Sequence, residues 1–196
     1  MSKSRTLAIL VFDDVEVLDF CGPFEVFSVA NRFTDPPAFN VLTVAEGAGP
    51  VVTRGGLSVN PRHRLADCPP PNVLLVPGGQ GTRKEMHNPA LIEWIGLVSG
   101  QAELVLSVCT GALLLAKAGL LDGLEATTHH GALDLLREVA PRTAVHAGRR
   151  FVDNGRVITS AGIAAGIDMS LHVVSRLLGR ELAENTARQM EYPWQP

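Results

Sequence analysis

Ala102-Glu103-Leu104-Val105-Leu106-Ser107-Val108 runs directly into Cys109-Thr110-Gly111-Ala112-Leu113-Leu114-Leu115, and this junction decides the fold class. The first run is apolar and β-branched apart from the charge at Glu103, the pattern of a strand buried on both faces. The second run reads as a helix. A sharp turn from strand to helix projects its central side chain above the carboxyl edge of a sheet, where open α/β folds place their ligands. It also sets the Cys109 sulfur near the unpaired N–H groups of a helix start, which favour thiolate over thiol. A buried structural thiol is the usual fate of a lone cysteine. The position at a junction instead favours a reactive one.

Working outward, the same alternation recurs along the chain. Thr6 to Phe12 is a continuous apolar strand, and Pro23, at a first helical position, is expected to open a helix reaching about Arg32. Phe39 to Ala45 is a second strand. Val51 to Thr53 and Leu57 to Asn60, joined by Arg54-Gly55-Gly56, read as a small hairpin outside the main sheet. Asn72 to Val76 is a third buried strand ending in Pro77-Gly78-Gly79, with a helix over Pro89 to Ser99. Beyond the Cys109 unit come a short strand (Glu125 to Thr128), a helix (Ala132 to Ala140), a hairpin turned at Asn154-Gly155, and closing helices over Gly162 to Leu178 and Glu181 to Met190. Alternating strands and helices predict an α/β fold with a mostly parallel sheet, helices on both faces and small accessory hairpins. Residues 1–196 are expected to form a single domain.

Composition narrows the function classes. The chain is 46% hydrophobic and 19% charged with a formal net charge of -3, so nothing draws it electrostatically to nucleic acid. No apolar run is long enough to span a membrane, and the basic start from Met1 to Arg5 runs straight into the first strand rather than into a signal peptide. The expectation is a soluble cytoplasmic protein that acts on a small molecule. Three widely spaced cysteines, Cys21, Cys68 and Cys109, fit reduced thiols better than a disulfide framework or a CxxC site. His63, His87, His146 and His172 lack ligand spacing, so no metal is expected, and neither a dinucleotide fingerprint nor a phosphate-binding loop is present.

Asp19 lies just past the first strand and is expected at the same sheet edge as Cys109, placed to exchange protons with sulfur or substrate. Capping the helix begun by Pro23 is an equal alternative. Glu25 is a competing carboxylate inside that helix, where a solvated surface charge is as reasonable. Gly78 and Gly79 permit close backbone approach and, with the Thr110 N–H, an anion-stabilising pocket, though a plain turn explains them as well. The Thr110 hydroxyl has helix capping and substrate contact open to it. His129 and His130 follow the Glu125 strand, and His129 is a candidate base for the thiol, with a structural role the commoner outcome. Asp168 is most simply a favourable charge at a helix start.

Taken together, Leu18-Asp19-Phe20-Cys21-Gly22-Pro23, Ala66-Asp67-Cys68-Pro69-Pro70, Val76-Pro77-Gly78-Gly79, Ser107-Val108-Cys109-Thr110-Gly111, Ala126-Thr127-Thr128-His129 and Ala161-Gly162-Ile163-Ala164-Ala165-Gly166-Ile167-Asp168 resemble the ThiJ/PfpI superfamily, with its class I glutamine amidotransferase-like fold. The likeness runs nearly end to end. Within the superfamily it is similar to the isocyanide hydratase branch and to the sensor domain of certain AraC-type regulators. The resemblance implies Cys109 as nucleophile, Asp19 as its carboxyl partner, Thr110 beside them, backbone donors around Gly79 and Thr110, and Ile163 packed behind the sulfur. It also implies a flavodoxin-like fold and a homodimer with the Asp19 segment near the interface, while the uncharged substrate of that branch suits a largely apolar pocket. Cys21, His130 and Ala161 depart from the branch pattern, which bears on substrate preference.

The leading expectation is a cofactor-free hydratase, a lyase converting an isocyanide to an N-substituted formamide. A glyoxalase-like enzyme acting on α-oxoaldehydes, with His129 as base, is the enzymatic alternative. A non-catalytic ligand sensor or a redox sensor at Cys109 is the alternative of another class. No basic helix-turn-helix region follows in this sequence, so a sensor would lack a DNA-binding partner of its own.

Overall fold

The computed structural model describes residues 4–195, so most of the basic start, Met1 to Lys3, lies outside the described residues. The first unit is β1 (Arg5–Leu10), α1 (Val17–Ala30) and β2 (Phe39–Ala45). A small antiparallel hairpin, β3 (Val51–Val52) with β4 (Ser58–Val59), follows as expected, and then a short edge strand, β5 (His63–Arg64). The middle of the chain supplies β6 (Val73–Val76), α2 (Thr82–Glu85), α3 (Pro89–Ser99), β7 (Leu104–Val108) and α4 (Gly111–Lys117). The remainder is β8 (Glu125–Ala126), α5 (Leu133–Val139), β9 (Ala144–Val145), β10 (Phe151–Asp153), β11 (Val157–Ser160), α6 (Ala165–Leu178) and α7 (Arg180–Gln189).

Seven strands form the main sheet in the order β10-β11-β7-β6-β1-β2-β5, parallel throughout except for β10 against β11. β6 and β7 are buried at every position, which requires a helical layer on each face. One layer is α1 packed on α6 and α7; the other groups α2, α3 and α5 around α4. The α/β class with a mostly parallel sheet and covered faces therefore holds. The chain leaves β1 outward to β2 and β5, then returns to lay β6 on the other side of β1. That reversal creates a crevice at the carboxyl ends of β1 and β6, the usual ligand position in such sheets.

Two local expectations are corrected. α1 begins at Val17, not at Pro23, which lies buried inside it. The earlier start is fixed by tertiary contacts: Val15 bridges Gly79, and the Glu16 N–H donates to the Gly78 carbonyl at 2.9 Å. The strand expected over Glu125 to Thr128 is shorter and stands outside the main sheet, where β8 pairs with β9. Beyond it the two threonines bond by other means. The Thr127 N–H donates to Thr159 Oγ1 at 2.9 Å and the Thr128 hydroxyl donates to the Cys109 carbonyl at 2.7 Å.

Candidate active site

Cys109 occupies the left-handed region at φ 55° between β7 and α4. Such a conformation costs about 1–2 kcal/mol in a residue with a Cβ and persists only where surroundings impose it. Here they do. The Cys109 N–H donates to the carbonyls of Ser160 and Ala161, and its own carbonyl is held by Thr128. On the other side Gly111 sits so close to β6 that a Cβ there would lie 2.1 Å from the Val76 carbonyl oxygen. The turn is locked by its neighbours and leaves the side chain 6% exposed at the crevice.

Asp19 lies in the first turn of α1 and is fully buried. It does not cap that helix. Its Oδ2 accepts the Gly78 N–H at 3.0 Å, while Oδ1 has no donor in good hydrogen-bonding geometry. Burial pushes the carboxyl up to about 7, against the lowering effects of the Gly78 N–H and the Cys109 thiol. The Cys109 thiol is pushed up to about 12, first by burial and then by the negative charge of Asp19, with the Thr110 N–H pulling the other way. The expected thiolate is therefore corrected to a protonated thiol facing a carboxyl poised near neutrality. A single N–H from a seven-residue helix does not offset desolvation plus a neighbouring anion.

The glycine turn serves this pair structurally. A Cβ on Gly78 would lie 2.5 Å from the Thr110 nitrogen and 2.8 Å from Asp19 Oδ2. The Gly79 N–H donates to Thr110 Oγ1 at 3.0 Å, and the Thr110 hydroxyl donates back to the Gly79 carbonyl at 3.1 Å. The N–H groups of Gly78 and Gly79 are thus committed to internal partners, which corrects the anion-donor role expected of them. Thr110 ties the elbow to the glycine turn and makes no side-chain cap on α4. Its N–H faces the sulfur.

His129, three residues beyond β8, lines the cavity on the same side as the sulfur. A Cβ on Gly162 would meet His129 Cδ2 at 2.4 Å and Cys109 Sγ at 3.0 Å, so this glycine separates imidazole from thiol. His129 Nδ1 accepts the Gly131 N–H at 3.1 Å, which leaves the neutral ring with its proton on Nε2. Burial, His130 and Arg83 hold its pKa below the usual value, in that order. His130 stacks on His129 with ring centroids 4.1 Å apart.

Cys109, Thr110, Gly79, His129 and Ile163 all line one open cavity of about 330 Å³, together with Glu16, Arg54, Gln80, Arg83 and Gly131. Ile163 is the only aliphatic member of this lining, which also carries two arginines and a glutamate, so the largely apolar pocket is corrected to a mixed one. Arg54, Arg83, Glu16 and Gln80 were not singled out from sequence. Arg54 was legible only as part of a turn, and it arrives because its N–H bonds the Val15 carbonyl at 3.1 Å. Glu25 is exposed on α1 and absent from the lining, and Asp168 is engaged by Arg150 and the Tyr192 hydroxyl. Cys21, Cys68 and Cys109 are all free thiols. Among the described residues no group of three or more His, Cys, Asp or Glu is placed to hold a metal, and no helix is long and apolar enough to cross a membrane.

Comparison with known proteins finds relatives that span nearly the whole chain. The chain is 36% identical over 186 residues to an isonitrile hydratase of Pseudomonas putida, covering 95% of this chain and 78% of that protein. It is 34% identical over 187 residues to the HTH-type transcriptional regulator CdhR of Pseudomonas aeruginosa, covering 95% of this chain but only 54% of the regulator. Among solved structures, a ThiJ/PfpI family protein from Pseudomonas syringae superposes with a TM-score of 0.89 at 30% identity, covering 99% of this chain and 77% of that one. Drosophila melanogaster DJ-1beta shares the fold at a TM-score of 0.83 and 20% identity, covering 98% of this chain and 100% of that one. The DJ-1/PfpI family model matches residues 5–176, and with the elbow, glycine turn and buried carboxyl all inside that span, the chain belongs to the DJ-1/PfpI family.

Proposed function

We propose that the protein is a cofactor-free hydratase that adds water to an isocyanide and releases an N-substituted formamide. The observation that carries this reading is the Cys109 sulfur held at a left-handed elbow beside the fully buried Asp19 carboxyl, where burial pushes both groups toward their neutral forms. Likeness to an isonitrile hydratase over most of both chains supports it.

In this reading the Cys109 thiol passes its proton to Asp19 as sulfur attacks the terminal isocyanide carbon. Asp19 delivers that proton to the same carbon, giving a thioimidate, R–N=CH–S–Cys. Water then adds to the carbon, giving one proton to Asp19, which passes it to nitrogen. Collapse of R–NH–CH(OH)–S–Cys forms the formamide C=O, breaks the C–S bond, and returns the hydroxyl proton through Asp19 to sulfur. A carboxyl poised near 7 suits both halves, since it must accept and donate in turn. His129 serves as a neutral Nε2–H donor, which disfavours the base role needed by the α-oxoaldehyde alternative.

Ligand sensing without turnover is the second reading, favoured by the match to a regulator about twice the length of this chain. Incubating purified protein with aryl and alkyl isocyanides discriminates the two. Formamide should appear with the wild type and vanish in Cys109→Ala; equal inertness of both across the panel removes the hydratase. A homodimer and a cytoplasmic setting, where three free thiols stay reduced, belong to the same proposal.

A further inference from the structure

Two arginines in the cavity lining have no counter-ion. Arg83 donates from Nη1 to the Gly79 carbonyl at 3.2 Å and to Thr82 Oγ1 at 3.1 Å, both neutral acceptors that hold the guanidinium in place without neutralising it. Arg54 enters from the turn between β3 and β4, anchored only through its backbone. Among the described residues neither takes part in an ion pair, whereas seven of the twelve other arginines do. Both share the lining with the Cys109 sulfur.

The remaining ionisable groups facing the cavity fix the sign. Glu16 contributes one negative charge to the lining, and the neutral His129 contributes none. Within the lining, two guanidinium charges stand against one carboxylate, and the Asp19 carboxyl behind the sulfur, poised near 7, draws the balance beside the thiol to between zero and one positive charge. That balance suits a monoanion and opposes a dianion, and the planar donor forks of arginine match a carboxylate. Arg54 is exposed and Arg83 half-buried at the mouth of this open cavity, so an uncharged substrate would leave both guanidinium groups to solvent.

We infer that Arg54 and Arg83 form a subsite for a carboxylate, so that the preferred substrates are small monoanionic carboxylic acids presenting their reactive carbon to Cys109. Resting on the hydratase reading, this names isocyano-carboxylates such as isocyanoacetate as the favoured class. The acid end lies on the two arginines and the isocyanide carbon lies at sulfur. The charged end is thereby a handle for orientation, placed by residues that take no part in bond making.

Two pairs of probes of equal size but different charge test it. Turnover of isocyanoacetate should exceed that of isocyanoacetamide by at least about tenfold in kcat/KM, and Arg54→Gln should erase most of that preference. Separately, the rates at which iodoacetate and iodoacetamide alkylate Cys109 are compared by mass spectrometry, each relative to free cysteine. An iodoacetate preference above that of free cysteine, lost in Arg54→Gln and Arg83→Gln and partly kept in Arg83→Lys, supports the subsite without any reference to hydration. If neither reagent reaches the sulfur, calorimetric titration with N-formylglycine against N-formylglycinamide takes its place, and equal affinity overturns the inference. Acid and amide turned over equally, with no charge preference in alkylation, leave the hydratase standing and remove the subsite. Inert isocyanides with a clear anion preference remove the hydratase and leave the subsite.

Discussion

Asp19 is the one fully buried carboxyl among the described residues, with one oxygen satisfied by Gly78 and the other left without a good donor, which is why the proposed chemistry turns on it. Its proton is bound more tightly in the folded chain, at about 7, than in an unfolded one, at 3.8. The contribution to stability is therefore fully present below pH 3.8, is lost as pH rises toward 7, and is constant above. A difference of this size is worth on the order of 4 kcal/mol before relaxation of the site is considered. In Asp19→Asn the amide oxygen keeps the Gly78 N–H and the amide nitrogen faces the sulfur, so no buried charge remains. The variant is expected to be more stable than wild type by about 1–3 kcal/mol at pH 8 and to lose that margin at pH 4, while its catalysis fails. Urea denaturation at the two pH values checks this, and a margin that does not change with pH would contradict the assigned carboxyl. The sequence placed Cys109 and Asp19 at one edge because strand ends are local features. It did not reveal the protonation of the pair, which depends on desolvation by residues distant in the chain.

The elements that aim these groups are held by close backbone approaches rather than by large contacts. Gly79 has φ 131°, and a Cβ there would lie 2.3 Å from the Asp14 carbonyl oxygen and 2.5 Å from the Glu16 nitrogen. Those atoms belong to the loop that launches α1, so the glycine turn after β6 and the start of α1 are one construction. Gly79→Ala is expected to destabilise the fold by about 2–4 kcal/mol through both strain and clash. Gly96 in α3 is the contrasting case, since nothing lies within 4 Å of an added Cβ. Gly96→Ala is expected to stabilise by about 0.5–1 kcal/mol, and thermal melts of the two variants should move in opposite directions. Apolar runs and turn residues made most main-sheet strands and the long helices legible in sequence. The two-residue strands β5 and β9 carry no such signal, and the start of α1 was misplaced because long-range backbone bonds outweigh the preference of proline for a first turn. Arg54 and Arg83 escaped notice for a related reason: nothing in a turn or a four-residue helix announces which cavity it overhangs.

At the scale of the whole molecule, α1 links the site to the surface. Its inner side buries Asp19, Phe20 and Phe27, while Leu18 and Phe24 remain 39% exposed. Leu18, Cys21 and Phe24 follow one another at intervals of three residues and so share a face of the helix. Apolar side chains grouped in this way favour self-association, as proposed for the Asp19 segment, because contact removes them from water at about 25 cal/mol per Å². Sedimentation velocity is expected to report a dimer for the wild type and a monomer for the double variant Leu18→Glu, Phe24→Glu, since two carboxylates per chain would be desolvated at such an interface. A double variant that remains dimeric would exclude this face. Neither Leu18 nor Phe24 is among the ten residues of this chain that line the Cys109 cavity. The monomeric variant should therefore keep its turnover within about tenfold of wild type, a loss of ~1.4 kcal/mol or less in the barrier. A larger loss with an unchanged melting temperature would mean that the partner stiffens the first turn of α1, and with it the carboxyl that must receive the thiol proton.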